Sequence, residues 1–106
     1  MKDRTEDETE SSPPYHLRLF IAGEEPNSMK AVRAVKELCA TRLKGKCRLE
    51  IVDVLEDYQS ALDNNIFFAP TLVIFSPKPQ TKIVGSLNDP GKLLEALGLQ
   101  KFREEA

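Results

Sequence analysis

The sequence has few of the residues that hold metals or carry redox chemistry. Its 106 residues include two cysteines, Cys39 and Cys47, and a single histidine, His16. Two thiols and one imidazole are too few to ligate a structural zinc ion, so we expect no metal and no other cofactor. The cysteines are not spaced as C-x-x-C, and we interpret them as buried structural thiols rather than reactive ones.

Long apolar runs and a strong net charge are also missing. No stretch approaches the roughly 20 apolar residues that a membrane-spanning helix needs, and the acidic, polar start does not resemble a secretory signal. The net charge is -2. That balance gives no reason to expect binding to nucleic acid or to a membrane, and a cytoplasmic location is the expectation.

The length and the charge pattern together predict one domain with short tails. A chain of 106 residues can form a single hydrophobic core but not two. Residues 1–12 hold five acidic and two basic residues and no apolar residue after Met1, so they cannot bury enough surface to offset their ordering entropy. We predict a disordered acidic tail over residues 1–13, a domain over 14–100 and a short C-terminal tail over 101–106.

The first half of the domain reads as strand, helix, strand. The apolar run 17–22 ends in Gly23 and predicts a strand, and a helix follows with Asn27 or Ser28 as its N-cap and Gly45 as its stop. Residues 47–54 predict a second strand, buried on both faces because its apolar residues show no clean alternation. Such a unit forms a right-handed parallel crossover.

The second half predicts a helix, two strands and a last helix. The predicted elements are a short helix within 55–65, a strand over 71–75, an antiparallel strand over 81–85, and a helix capped by Asp89 with Pro90 as its first residue. The complete order, βαβαββα with a mixed four-stranded sheet, is the thioredoxin-like topology of the α/β class.

The turn from Gly23 to Ser28 occupies the place where thioredoxin-like enzymes carry their reactive thiols. It contains Glu24, Glu25, Pro26 and Asn27, and no cysteine. Ser28 has no histidine or lysine placed to activate it, so we expect no catalytic residue and interpret Gly23, Pro26, Asn27 and Ser28 as structural.

Pro70 is the second landmark of this fold. Ala69-Pro70-Thr71 stands where thioredoxin-like folds place a cis-proline before the third strand. The sequence leaves the isomer open. Because no thiol pair accompanies it, we interpret Pro70 as structural.

Four motifs taken together resemble the KaiB family. They are Leu19-Phe20-Ile21-Ala22-Gly23, Pro26-Asn27-Ser28, Ile51-Val52-Asp53-Val54-Leu55 and Ala69-Pro70-Thr71-Leu72, followed by Ile83-Val84-Gly85-Ser86-Leu87. The resemblance covers about residues 16–98. It implies a non-enzymatic adaptor that binds the ATPase ring of a KaiC-type partner, with a clock histidine kinase or other Kai-type proteins as further partners.

The family also includes members that change between a tetrameric ground state and a thioredoxin-like monomer. In this chain residues 90–97 contain no β-branched residue, whereas residues 71–75 are nearly all β-formers. We therefore predict mainly the thioredoxin-like form, with the KaiB ground-state fold as a minor alternative at most.

The resemblance places the partner-binding residues on the second strand, the short second helix and the loop before Pro70. The candidates are Glu50, Asp53, Tyr58, Asn65, Ile66, Lys82 and Lys30. Two alternative functions remain open: a thioredoxin-like interaction module in stress or histidine-kinase signalling, and a thiol-dependent thioredoxin-like enzyme.

Overall fold

The computed structural model describes residues 14–85, 87 and 90–97. Its elements are β1 (Tyr15–Ile21), α1 (Pro26–Thr41), β2 (Cys47–Asp53), α2 (Tyr58–Asp63), β3 (Thr71–Ser76), β4 (Thr81–Val84) and α3 (Pro90–Ala96). The predicted order βαβαββα is confirmed. The predicted tails and the predicted cap Asp89 lie outside the described residues.

The strands form one mixed sheet in the order β2-β1-β3-β4. β1 pairs in parallel with β2 and antiparallel with β3, and β3 pairs antiparallel with β4. The C-terminal ends of β1 and β2 therefore lie beside the N-terminal end of β3, as the pairs Ile21–Asp53 and Phe20–Thr71 show. This end of the sheet carries the candidate site.

The main core lies between one face of the sheet and the helices α1 and α3. Alternate residues of β1 and β3 face it, because successive strand side chains point to opposite faces. It includes Leu17, Leu19, Ile21, Leu72 and Ile74 from the sheet, Ala31, Val35 and Leu38 from α1, and Leu93 and Leu94 from α3. All are at most 8% exposed.

α2 lies on the opposite face of the sheet and covers part of it. Phe20 and Val73 alternate with the main-core residues of their strands and are fully buried. Lys82, paired with Val73, extends from this face to donate to the carbonyl of Asn64 directly after α2. Ala61 is the buried residue of that helix.

The prediction that β2 is buried on both faces is wrong. β2 ends at Asp53, lies at the edge of the sheet and has no fully buried residue. Ile51 is 39% exposed. An edge strand has one neighbour only, and the chain covers it incompletely although its composition resembles that of a central strand.

The predicted ends of α1 also need correction. The N-cap is Glu25, not Asn27 or Ser28, because Pro26 is the first helical residue and its ring fixes the φ that position requires. The helix ends at Thr41 and not near Gly45. Lys44 and Gly45, both with positive φ, belong to the loop that leads into β2.

Candidate functional site

The turn between β1 and α1 is occupied by its own hydrogen bonds. A carboxylate oxygen of Glu25 accepts from the backbone N–H of Ser28 at 2.9 Å, and the buried hydroxyl oxygen of Ser28 accepts from the N–H of Ala22 at 3.0 Å. The N–H of Ser28, as the main cause, lowers the pKa of Glu25. These polar groups cap the helix and close the turn, and they offer no nucleophile.

Asp53 joins two loops at the same end of the sheet. Its Oδ1 accepts from the backbone N–H of Gly23 and from that of Leu55, both at 3.0 Å. Gly23 has a φ of +55°. Asp53 therefore fixes the start of the turn that precedes α1 and the start of the segment that leads into α2.

Glu50 is the centre of a charged cluster on the α2 side of the sheet. Its Oε1 accepts from Arg18 Nε at 2.8 Å and lies 3.2 Å from His16 Nε2, and its Oε2 accepts from Arg48 at 3.1 Å. Burial raises the pKa of Glu50, but the hydrogen bonds and charges of Arg18 and His16 outweigh it and hold that pKa below its usual value. The Arg18 guanidinium also lies 5.0 Å from the centre of the Phe75 ring.

Glu50 and Lys82 lie in one row across the sheet. The row runs through the pairs Glu50–Arg18, Arg18–Val73 and Val73–Lys82, so three strand spacings, about 14 Å, separate its ends. Lys82 Nζ donates to the carbonyl of Asn64 at 2.9 Å and lies 3.4 Å from that of Asn65.

Large apolar side chains are exposed where β1 and β2 end and β3 begins. Leu55 and Tyr58 follow β2, and Phe67 and Phe68 precede β3. We call these four residues, together with Leu62 of α2, the apolar end. Their exposed fractions are Leu55 72%, Tyr58 66%, Leu62 47%, Phe67 77% and Phe68 69%.

The loop that carries the two phenylalanines is held at both sides. The N–H of Ile66 donates to the carbonyl of Ala61 at 2.9 Å, and the hydroxyl of Thr71 donates to the carbonyl of Phe68 at 2.6 Å. The Ala69-Pro70 bond is cis. The two rings are thus exposed on an anchored segment.

Comparison with known proteins identifies the family. The family model described as the KaiB domain matches residues 18–99. The chain belongs to the KaiB family. A relative from Picosynechococcus sp., named circadian clock oscillator protein KaiB, is 40% identical over 91 residues, which are 86% of this chain and 86% of that protein.

Solved structures bear on the fold of this KaiB chain. Chloroplastic thioredoxin z aligns with a TM-score of 0.72 at 18% identity, over 94% of this chain and 89% of that one. The N-terminal domain of Synechococcus elongatus SasA aligns with a TM-score of 0.65 at 22% identity, over 89% of each chain. At these identities the likeness shows the thioredoxin-like fold alone, and it confirms the predicted fold class.

The structure brings together some of the predicted KaiB contact residues and separates others. Tyr58 lies in the apolar end, and exposed Asn65 and half-buried Ile66 follow α2 in the loop that Lys82 contacts. Asp53 and Glu50 are engaged by backbone N–H groups and by cations, respectively. Lys30 is exposed on α1, which packs on the opposite face of the sheet from Glu50 and Lys82.

Four residues of the apolar end were missed by the sequence reasoning. They are Leu55, Leu62, Phe67 and Phe68. The signal for the phenylalanines was present, because Ile66-Phe67-Phe68 is an apolar run between an Asn-Asn pair and Ala-Pro with neither helical nor strand periodicity to bury it.

Neither a metal-binding cluster nor a membrane-spanning helix is found among the described residues. No group of three or more histidine, cysteine or carboxylate side chains within them could hold a metal ion. None of the helices in that part of the chain has the length and hydrophobicity to span a membrane.

Proposed function

We propose that this chain is a non-enzymatic adaptor that binds the ring of a KaiC-like ATPase through the apolar end. The observation that carries the proposal is the exposure of five large apolar side chains on adjoining segments at one end of the sheet. Five large exposed apolar side chains at one end of a small domain favour an interaction site, because large apolar patches are uncommon on a protein that works alone. Membership of the KaiB family indicates the class of partner.

The composition of the apolar end suits a protein interface. Tyr58, Phe67 and Phe68 are aromatic, and aromatic residues are enriched at the centres of interfaces where a few side chains supply most of the affinity. Burying one such side chain contributes roughly 1.5–3 kcal/mol. Lys82 lies beside the loop and adds a positive charge for an acidic partner surface.

The absence of catalysis is supported by the turn that precedes α1. Residues 23–28 contain no cysteine, and the carboxylate of Glu25 and the hydroxyl of Ser28 each accept a backbone hydrogen bond. Burial raises the pKa of both Cys39 and Cys47, which disfavours the thiolate that a thiol-dependent enzyme requires.

Binding to a KaiC-type ATPase from the same organism tests the proposal. The full chain is titrated into the ATPase with ATP present, by calorimetry and by co-elution from a sizing column. Replacing Phe67 and Phe68 by Ala should raise Kd at least about tenfold, because buried aromatic anchors are lost. The thermal midpoint of the free protein should hardly change, since both rings are exposed.

A matched control separates this effect from general loss of apolar surface. Ile51→Thr alters an apolar side chain that is 39% exposed. Ile51 pairs with Leu19 of the main core, so it lies on the α1 face of the sheet. Its Kd should equal that of the unmodified chain. No complex at tens of micromolar, or equal losses in the two variants, would count against the proposal.

The two alternative functions predict different experimental results. If the chain is an interaction module of a histidine kinase, a pull-down from its host with the apolar end intact should recover the kinase and not the ATPase. A thiol-dependent enzyme should reduce insulin disulfides with turnover that Cys39→Ala abolishes. The domain limits 14–100, the cytoplasmic location and the ground-state fold stay predictions.

A further inference from the structure

The two cysteines lie next to each other, although they are eight positions apart in sequence. Cys39 is in the last turn of α1, Cys47 is the first residue of β2, and their Sγ atoms are 2.6 Å apart. Both side chains are half-buried and pack against the main core. The expectation that both thiols are buried is therefore corrected to half-buried.

The backbone between the cysteines holds them in this position. After α1, the N–H of Leu43 donates to the carbonyl of Leu38, and the N–H of Lys46 donates to that of Leu43 at 2.7 Å. The carbonyl of Lys46 in turn accepts from the N–H of Tyr15 at 3.0 Å. The loop is thus fixed to both the helix and the sheet, and the thiols meet without rearrangement of the chain.

We propose that Cys39 and Cys47 are a modification site that forms a reversible intramolecular disulfide with a low-molecular-weight disulfide as oxidant. The bond would join the end of α1 to the start of β2 and close the loop between them. A disulfide requires a sulfur–sulfur distance of about 2.05 Å, which small side-chain rotations reach from the observed contact.

The reaction balances as two thiol–disulfide exchanges. The Cys39 thiol loses its proton to water, and the resulting thiolate attacks one sulfur of the oxidant, forms a mixed disulfide and releases the first small thiolate, which takes up a proton. The Cys47 thiolate then attacks the Cys39 sulfur, forms the protein disulfide and releases the second. The protein gives up two electrons and two protons, and the oxidant is reduced to two thiols.

The surroundings make Cys39 the first to react. Burial raises the pKa of both thiols, and contact with its neighbour raises that of Cys47 further, to about 12, while the hydrogen bond from Cys47 partly offsets the rise for Cys39. Since the thiolate is the nucleophile, the rate of oxidation should increase with pH between 7 and 10.

This site is independent of the proposed docking. Cys47 begins β2 and Asp53 ends it, so the thiols lie at the opposite end of that strand from the apolar end, about 20 Å away. Oxidation should leave the Kd for the ATPase unchanged, and failure of either proposal says nothing about the other.

The full reduced chain is incubated with oxidised glutathione at pH 8 and treated with iodoacetamide, and the mass of the intact protein is measured by mass spectrometry. We expect a monomer about 2 Da lighter than the reduced chain with no alkylated thiol, and full reversal by reduced glutathione. Native folding should raise the equilibrium constant for closure at least about tenfold over the same chain in urea, because the thiols are held together.

A matched variant moves one thiol without changing the number of cysteines. Cys39→Ala combined with Ala40→Cys places the thiol at an exposed position one residue further along α1. It should accumulate glutathione adducts in place of the internal bond. The proposal would be overturned if the native unmodified chain gave dimers, stable adducts or two alkylated thiols. It would also be overturned if the disulfide closed equally well in urea. Neither of these measurements on the unmodified chain requires the variant to fold.

Discussion

Gly23 holds a left-handed backbone conformation that glycine adopts at lower cost than residues with a Cβ. Its φ is +55°, and a Cβ at this position would lie 3.0 Å from Leu55 Cδ1. Gly23→Ala should lower the free energy of unfolding by roughly 1–3 kcal/mol, through backbone strain and displacement of Leu55. Urea denaturation of the two proteins measures this difference.

Gly45 provides the matched control for that substitution. Its φ is +81°, but a Cβ there would meet no atom within 4 Å. Gly45→Ala should therefore show the backbone cost alone, about 1 kcal/mol. Equal losses at the two positions would contradict a role for the contact between residue 23 and Leu55.

For single residues, the sequence indicated which positions matter for the structure better than it indicated what each of them does. Pro26 at the first helical position could have identified Glu25 as the cap, because the cap directly precedes that position. The preference for Asn or Ser at N-caps favoured Asn27 and Ser28 instead. Asp53 was interpreted as a partner-binding residue, and its structural bond to Gly23 could not be foreseen, since Gly23 is 30 positions away and only the folded sheet brings the two together.

Between elements, the Glu50 cluster ties β2 to β1. The pKa of Glu50 is lowered in the folded chain, so its contribution to stability is present above the usual carboxylate pKa of about 4.3 and is lost as the pH falls through the lowered value. Glu50→Gln should cost at most about 1 kcal/mol at pH 7, with the deficit shrinking as the pH falls below the usual carboxylate pKa. Thermal melts at pH 7, 5, 4 and 3 check the prediction.

Glu56→Gln serves as the reference for this pH series. Glu56 is an exposed carboxylate for which the described residues show no ion pair. Its neutralisation should change stability by less than that of Glu50 at pH 7. A deficit for Glu50→Gln that is undiminished at pH 3 would show that the amide is simply a poorer fit.

The sequence predicted which segments form helices and strands better than it predicted how deeply each strand is buried. The apolar residues 71–75 predict a strand and form one, and this strand is buried because β3 has neighbours on both sides and cover on both faces. β2 has a similar composition but lies at the edge. Neighbours are set by the topology of the whole sheet, which the local pattern of residues 47–54 does not contain.

For the molecule as a whole, we expect one dominant fold in solution. α3 and β3 form where the local preferences for helix and strand predict them, so local and global structure agree. Backbone chemical shifts should show helix over 90–96 and strand over 71–76. Strand shifts over 90–97, or helix through 71–75, would show that the alternative fold predominates.

The position of β2 has a consequence for self-association. An edge strand offers unpaired backbone groups on which a second copy could extend the sheet, and charged side chains are a common protection. Arg48 is exposed and Glu50 half-exposed on this strand. A second copy that pairs along β2 would have to displace water from these charges. The cluster that connects β2 to β1 should therefore also disfavour aggregation through this edge strand.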